Sequence, residues 1–308
     1  MNRMTIPALL TGALLSLGAA AQESPFDLSP DQPGREHVEP NPEAIAAIPA
    51  DFPFVTPGKL TVGSNPAGGP PLTAYATDTR TVVGADADVA LLIAESLGLE
   101  LEIIPTAWAD WPLALQSAKV DAVFSNVGVT EERKEKFDFA TYRQGLHGFF
   151  VHEDSEIQSI AEPQDIAGLK VVVGIGTNQE RILNKWNEIN IEAGLPAAEL
   201  IYYDDEGTKL LALRSKRVDV MVQPNAQLVF IAARDGDFRS VGTLSAGWPE
   251  RSDVAAPFRK GSGLAEPVSI AINGLIEDGV YLRTLERWHV GEEALEQSQV
   301  NPPGLPKF

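Results

Sequence analysis

The sequence predicts an α/β protein folded as two lobes, and three observations carry that prediction. Its 308 residues are too many for one small core and suit roughly two domains of 100 to 150 residues each. Short apolar runs rich in Val and Ile alternate with stretches of helical period, the pattern of parallel βαβ units with helices on both faces of a sheet. That alternation starts after Pro57 and again near residue 147, so two sheets are expected in one chain.

The elements follow in order. Residues 1–21 have a cationic start at Arg3, an apolar segment from Ile6 to Leu17 and small residues at Ala19 and Ala21. This is the pattern of a secretory signal cut after Ala21, and its apolar core is shorter than the roughly 20 residues that span a bilayer. Residues 22–58 form an acidic, Pro-rich leader with at most one helical turn in "AIAAIPADFPFV". "KLTVGS" is a strand and "GADADVALLIAESLG" a helix with Val89, Leu92, Ile93 and Leu97 on one face and Gly98 as its stop. "LELEIIPT" is a strand, "WADWPLALQSAKV" (108–120) a helix and "DAVFSN" (121–126) a strand. The second series runs "HGFFVHE", "LKVVVGIG", the long helix "NQERILNKWNEINIEAG", "ELIYYDD", "EGTKLLALRSKR", "VDVMVQP" and "NAQLVFIAARDG". The closing "VAAPFRKGSGLAEPVSIAINGLIEDGVYLRTLERW" holds one strand and two helices, too little for a third lobe, so it returns to the first; "NPPGLPKF" is an irregular tail.

Composition excludes several functions. Cysteine is absent, which removes disulfides, thiolate metal sites, a cysteine nucleophile and a lipidated N-terminal cysteine. With 43 acidic against 24 basic side chains and a net charge of −19, the surface repels nucleic acid and anionic membrane, and an anionic ligand needs a local positive site. His37, His147, His152 and His289 are scattered, lack the spacing of a zinc site and are expected to be ordinary surface or interface residues. Neither a metal nor a cofactor is expected.

Two stretches stand where ligands bind in parallel sheets, beyond the carboxyl ends of strands. In "DAVFSNVGVTEERKEKFDF" the strand leads through Ser125, Asn126 and Gly128 to Thr130, an expected helix N-cap, with Glu131 and Glu132 suited to the helix's positive end. Arg133 does not suit that end: it is either paired with nearby glutamates on a solvated face or aimed at an anion. In "VVVGIGTNQERIL" a strand passes Gly174 and Gly176 into a helix capped by Thr177 or Asn178, whose free amides favour a carboxylate or phosphate. It is neither a Walker sequence nor a dinucleotide fingerprint, and an ordinary strand-to-helix turn is the alternative.

Residues 59 to about 290 resemble the bacterial extracellular solute-binding proteins of family 3, the polar amino-acid class that serves ABC transporters. "KLTVGS", "VVGADADVALLIAESLGLELEIIPTAW", "ALQSAKVDAVFSNVGVTEERKEKFDFATY", "IAGLKVVVGIGTNQE", "LLALRSKRVDVMV" and "EDGVYLRTLERW" carry the resemblance by their order and spacing. It implies a type II periplasmic-binding-protein fold in which each lobe is a central sheet flanked by helices and two crossing hinge strands join the lobes. Lobe one would span 59–147 plus 246–292, lobe two 148–245, and 293–308 the tail. Matched by position, Arg133 is the arginine that grips the ligand α-carboxylate, with Thr130 opening its turn. Ser125, Asn126 and Gly128 offer hydroxyl and backbone partners, Thr177 and Asn178 share the carboxylate from the second lobe, and Trp108 is an aromatic wall, or else core as Trp111 is. Asn65 completes the expected site.

The departures bear on the ligand. Relatives that bind α-amino acids place an aspartate for the ammonium where Pro224 stands here, beside Gln223 and Asn225, whose neutral amides hydrogen-bond an ammonium without neutralising it. An aromatic of the family falls at Gly68 or Gly69, and Leu72 is not aromatic, so one stacking wall is missing. The expected protein is a periplasmic monomer that performs no chemistry, captures an amino-acid-like carboxylate and delivers it to an ABC permease. The rival reading is an enzyme resembling the secreted cyclohexadienyl dehydratases of the same fold, with Asp86 or Glu180 as acid or base. A sensor subunit that presents its ligand to a receptor would use the same pocket.

Overall fold

A computed structural model describes residues 26–203 and 205–307; the signal expected over residues 1–21 lies outside them. The leader holds one short helix, α1 (Pro42–Ala46), opened by Asn41, whose side chain accepts from the Glu43 and Ala44 N–H groups. Next come β1 (Lys59–Ser64), a hairpin of β2 (Ala74–Tyr75) and β3 (Val82–Val83), α2 (Ala85–Ser96), β4 (Glu100–Pro105), α3 (Trp111–Gln116), β5 (Ala122–Val123), α4 (Glu131–Lys134) and β6 (Phe137–Gln144). The chain continues through β7 (Leu146–His152), β8 (Lys170–Val173), α5 (Asn178–Glu192), β9 (Glu199–Tyr202), α6 (Glu206–Arg214), β10 (Val220–Pro224), α7 (Asn225–Asp235) and β11 (Phe238–Ser245). It closes with β12 (Asp253–Arg259), α8 (Ala265–Glu277) and α9 (Val280–Arg287).

These strands form two five-stranded sheets, ordered β4-β1-β5-β12-β6 and β11-β7-β10-β8-β9. Parallel pairing holds where the alternation of strands and helices predicts it, between β1 and its neighbours β4 and β5 and between β8 and its neighbours β9 and β10. The antiparallel strands are those that carry the chain across: β6 leads into β7 and β11 returns to β12. The two crossings touch at Gly145, where a β-carbon would lie 2.6 Å from Ala246 Cβ and 2.9 Å from the Ser252 carbonyl oxygen. Only a glycine lets the crossings pack so closely.

Three expectations change. The helix expected over 108–120 is a 3₁₀ turn, Trp108–Asp110, followed by α3, which stops at Gln116. Ser117 Oγ donates back to the Leu113 carbonyl at 2.7 Å and Ala118 takes a φ of 54°, so the helix cannot continue. The strand expected over 121–126 pairs only at Ala122 and Val123, because the following residues turn into the cleft loop. β6 and β11 are strands that the pattern does not announce, since the polar-interrupted "FDFATYRQ" and "FRSVGTLS" show no clean alternation.

The leader and α9 are tied to α2 through Asp88, whose carboxylate meets Arg35 at 2.8 Å, Arg287 at 2.6 Å and the Trp288 indole N–H at 2.8 Å. Phe26 sits with its ring 5.4 Å from that of Phe230 in α7 and 5.5 Å from that of Trp288, which follows α9. Among the described residues no helix is long and apolar enough to cross a membrane.

Candidate functional site

A cleft of about 440 Å³ opens between the two sheets, lined by residues that follow β1, β5, β8 and β10. Every one of those strands runs with its carboxyl end toward the cleft, so loops and helix N-termini form much of the lining, joined by the strand residues His147, Gln223, Pro224 and Val254.

Arg133 is among the residues that line it. Thr130 caps α4 by accepting the Arg133 backbone N–H at 2.9 Å, which fixes the turn from which the side chain departs. The guanidinium donates to the Gly128 carbonyl at 2.8 Å on its own side and, across the cleft, to Asn178 Oδ1 at 3.1 Å and the Gly176 carbonyl at 3.0 Å. The Trp108 and Trp111 rings lie 5.5 and 5.7 Å from its central carbon, within cation–π reach. The glutamates that could have claimed it are engaged elsewhere, Glu131 with Lys134 and Glu132 with Arg181. Loss of hydration lowers its pKa to about 10, with no carboxylate among the described residues to offset that loss. It remains a cation at neutral pH, holding three neutral oxygens and no counter-charge.

Of the other expected residues, Asn65, Trp108, Ser125, Asn126, Gly128, Thr177, Asn178 and Gln223 line the cleft, while Thr130 and Asn225 do not. Thr130 is buried beneath the turn as its cap. Asn225 opens α7 and turns its side chain over Gly148, whose β-carbon position is 2.8 Å from Asn225 Oδ1. Ser125 Oγ accepts from the Asn65 N–H at 3.2 Å, joining two strand ends. Thr177 spends its hydroxyl on the turn, donating to Gly174 and accepting the Glu180 N–H that caps α5. Asn178 is buried and reaches both ways, accepting from Arg133 and donating to the Ala246 carbonyl at 3.1 Å. Trp111 is core, as expected, at 3% exposure.

Four features of the site carry no local signal in the sequence. Arg143, fully buried, is wedged between Glu293 and the Asn126 side chain, with Asp86 3.7 Å away. Burial works against its charge, but Glu293 and Asp86 outweigh it and hold the guanidinium above its ordinary value. Burial raises the Asp86 pKa against the pull of Arg143; Oδ2 accepts the Asn126 N–H at 3.0 Å and Oδ1 has no hydrogen bond. Asn126, a non-glycine residue at φ 53°, is held in the left-handed region by these contacts.

His147, expected to be an ordinary surface or interface residue, is buried at 4% exposure and lines the cleft. Neither ring nitrogen has a well-formed hydrogen bond, and burial pushes its pKa down to about 3 against a smaller opposing pull from the Leu146 backbone. Gln227 Nε2 crosses the cleft to the Gly68 carbonyl at 2.8 Å, where a β-carbon on Gly68 would lie 2.5 Å from it. Lastly, Glu206 and Lys209 line the cleft 3.3 Å apart, with Gln223 Nε2 also 3.3 Å from Glu206 Oε2. Of the two carboxylates considered as catalytic groups, Asp86 is on the cleft, while Glu180 accepts the Gly176 N–H at 2.5 Å.

Comparisons with known proteins agree with this architecture. Residues 60–291 match the model of the bacterial extracellular solute-binding proteins, family 3. The chain is 30% identical over 233 residues to the L-cystine-binding protein TcyJ of Escherichia coli (strain K12), covering 75% of this chain and 82% of that one. Among solved structures it resembles an ancestral arginine-binding protein bound to arginine, with a TM-score of 0.65, 30% identity and coverage of 75% of this chain and 98% of that one. It also resembles the ancestral amino acid-binding protein AncCDT-1, a precursor of cyclohexadienyl dehydratase, with a TM-score of 0.62, 26% identity and coverage of 75% and 95%.

Proposed function

From the premise that the chain belongs to the bacterial extracellular solute-binding proteins of family 3, we propose that it is the solute-capturing component of an amino-acid ABC importer. One observation carries the proposal: a desolvated guanidinium, Arg133, faces the cleft without an anion and is met from the other side by Asn178. A ligand carboxylate supplies the missing charge, and a guanidinium fork suits it because two parallel N–H···O bonds form at once. Since the partners of Arg133 stand on both sides of the cleft, the ligand binds the closed form better than the open one, and closure is a shift of population toward it.

The ammonium lacks the aspartate that Pro224 displaces. Glu206, on the cleft wall with Lys209 and Gln223 each 3.3 Å away, is the carboxylate that offsets it. Binding rather than turnover is favoured because Asp86, the cleft carboxylate considered as an acid or base, is already committed to Arg143 and the Asn126 N–H. We place the mature protein in the periplasm after cleavage near Ala21, with an inner-membrane permease as its partner.

A thermal-shift screen with L-cystine, L-arginine and L-glutamine, followed by calorimetry, tests the reading, since a ligand at 100 times its Kd stabilises by about 2.7 kcal/mol. Arg133→Ala should cost about 2–5 kcal/mol of binding, as for a buried charge pair that loses one member. Unchanged affinity would reject Arg133 as the anchor. Product formation from prephenate or arogenate would favour the enzyme instead.

A further inference from the structure

The family match ends at residue 291, yet the segment beyond it is built into the site. Leu305 pairs in parallel with Thr130: the Glu131 N–H donates to the Leu305 carbonyl at 3.0 Å and the Leu305 N–H to the Val129 carbonyl at 2.9 Å. Gly304 donates to Glu131 Oε1 at 2.9 Å, the Pro302 carbonyl accepts from Lys134 Nζ at 2.9 Å, and Lys307 pairs with Glu135. The approach at Gly304 is backbone to backbone, for a β-carbon there would lie 2.8 Å from the Val129 carbonyl oxygen and 2.9 Å from Thr130 Cα. These contacts run along the turn that presents Arg133.

The Leu305 side chain points elsewhere. It is fully buried and belongs to the apolar cluster of the second sheet, with Phe149, Trp186 and the partly buried Trp248. One residue therefore has its backbone on the Arg133 turn and its side chain in the core of the opposite lobe.

We propose that residues 302–307 are a strap in which Gly304 and Leu305 act as positioning residues, holding the Arg133 turn and favouring the closed arrangement of the lobes. Opening draws Leu305 out of the second lobe's core and exposes apolar surface to water, whereas closing seats it. The closed population of the ligand-free protein is raised accordingly, and a pre-populated binding-competent state needs less of the ligand's affinity to reach closure. Its benefit to binding rests on Arg133 being the carboxylate anchor; the effect on closure does not.

The test exploits the absence of cysteine. Spin labels at Lys119→Cys and Glu192→Cys, both exposed and on opposite lobes, report the interlobe distance in the ligand-free full-length chain by pulsed electron spin resonance. Leu305→Asp, and a chain ending at Pro302, should shift the distribution toward long distances, raising the open-to-closed ratio about ten- to a hundred-fold, the worth of one buried leucine. Leu305→Met should keep the short distance, and a peptide of residues 301–307 should restore it to the truncated chain, a rescue that a merely structural loss would not allow. Leu305→Ala serves should the Asp variant fail to fold. An unchanged distribution in the Ala and truncated chains, with melting intact, would overturn the strap whatever solute the cleft binds.

Discussion

Gly128 and Asn178 meet so closely across the cleft that a β-carbon at position 128 would lie 2.4 Å from Asn178 Nδ2. The Asn178 amide cannot simply swing aside, because it is held by Arg133 at one end and the Ala246 carbonyl at the other. Gly128→Ala therefore obstructs closure while leaving each lobe intact. Calorimetry should show affinity falling about tenfold or more, the order expected when overpacking costs 1–3 kcal/mol, with the melting temperature of the ligand-free protein unchanged or higher. Equal affinity in the two proteins would mean that binding does not bring these residues together.

Arg143 makes a second prediction, one of stability. It is a single buried cation between Asp86 and Glu293, so Arg143→Met leaves two carboxylates without compensation and should cost about 3–5 kcal/mol in urea unfolding at neutral pH. Burial already raises both carboxyl pKa values, and removing the cation raises them further. Groups whose folded pKa lies above the unfolded value cost stability above that folded pKa and lose the cost as pH falls. The gap between variant and parent should accordingly narrow from pH 8 to pH 4.5; a constant gap would show that lost packing, not charge, is the cause.

His147 gives the opposite slope. Its pKa, lowered from 6.5 to about 3 by burial, means that between those values the unfolded chain binds a proton the folded chain refuses. This contribution is complete above pH 6.5 and is lost on acidification, amounting to about 2 kcal/mol by pH 5. Denaturation midpoints of His147→Gln should fall less steeply than those of the parent between pH 7 and pH 5. Parallel curves would place a proton or a water on the imidazole.

How far the sequence could be read follows from which residues carry local signals. The capped turn at Thr130, the turn capped by Thr177 or Asn178 and the helix after Gly84 are local and legible from spacing, with Thr177 the cap in the structure; Arg133 stands out as a cation misplaced at a helix start, although spacing alone leaves it open to pairing with the nearby glutamates. Arg143, His147 and Gln227 gave no such signal. Arg143 meets Glu293, 150 residues away, a contact that exists only once the first lobe is folded, and Gln227 meets Gly68, 159 residues away, a contact made only across the cleft. The tail reads as irregular because Pro and Gly set its backbone, and its order comes from Val129, Glu131 and Lys134, none of them near it in the chain.

The last prediction concerns the shape of the anchor rather than its charge. Arg133 divides its planar fork, with Nη1 serving Gly128 and Asn178 and Nη2 serving Gly176, so one rigid group addresses both lobes while two tryptophans flank its face. A lysine keeps the positive charge but has a compact ammonium that cannot hold both sides of the cleft and a carboxylate together, and it stacks less well on indole. Arg133→Lys should therefore bind the solute identified by thermal shift about 1.5–3 kcal/mol more weakly, the worth of a hydrogen bond to a charged group. A carboxylate enclosed between the lobes is screened less than an exposed one, so the loss should persist with little change from 50 to 500 mM NaCl. If lysine restored full affinity, charge alone would hold the ligand and the forked geometry would have no role; if the loss vanished at high salt, the guanidinium would be acting at the surface and not within a closed cleft.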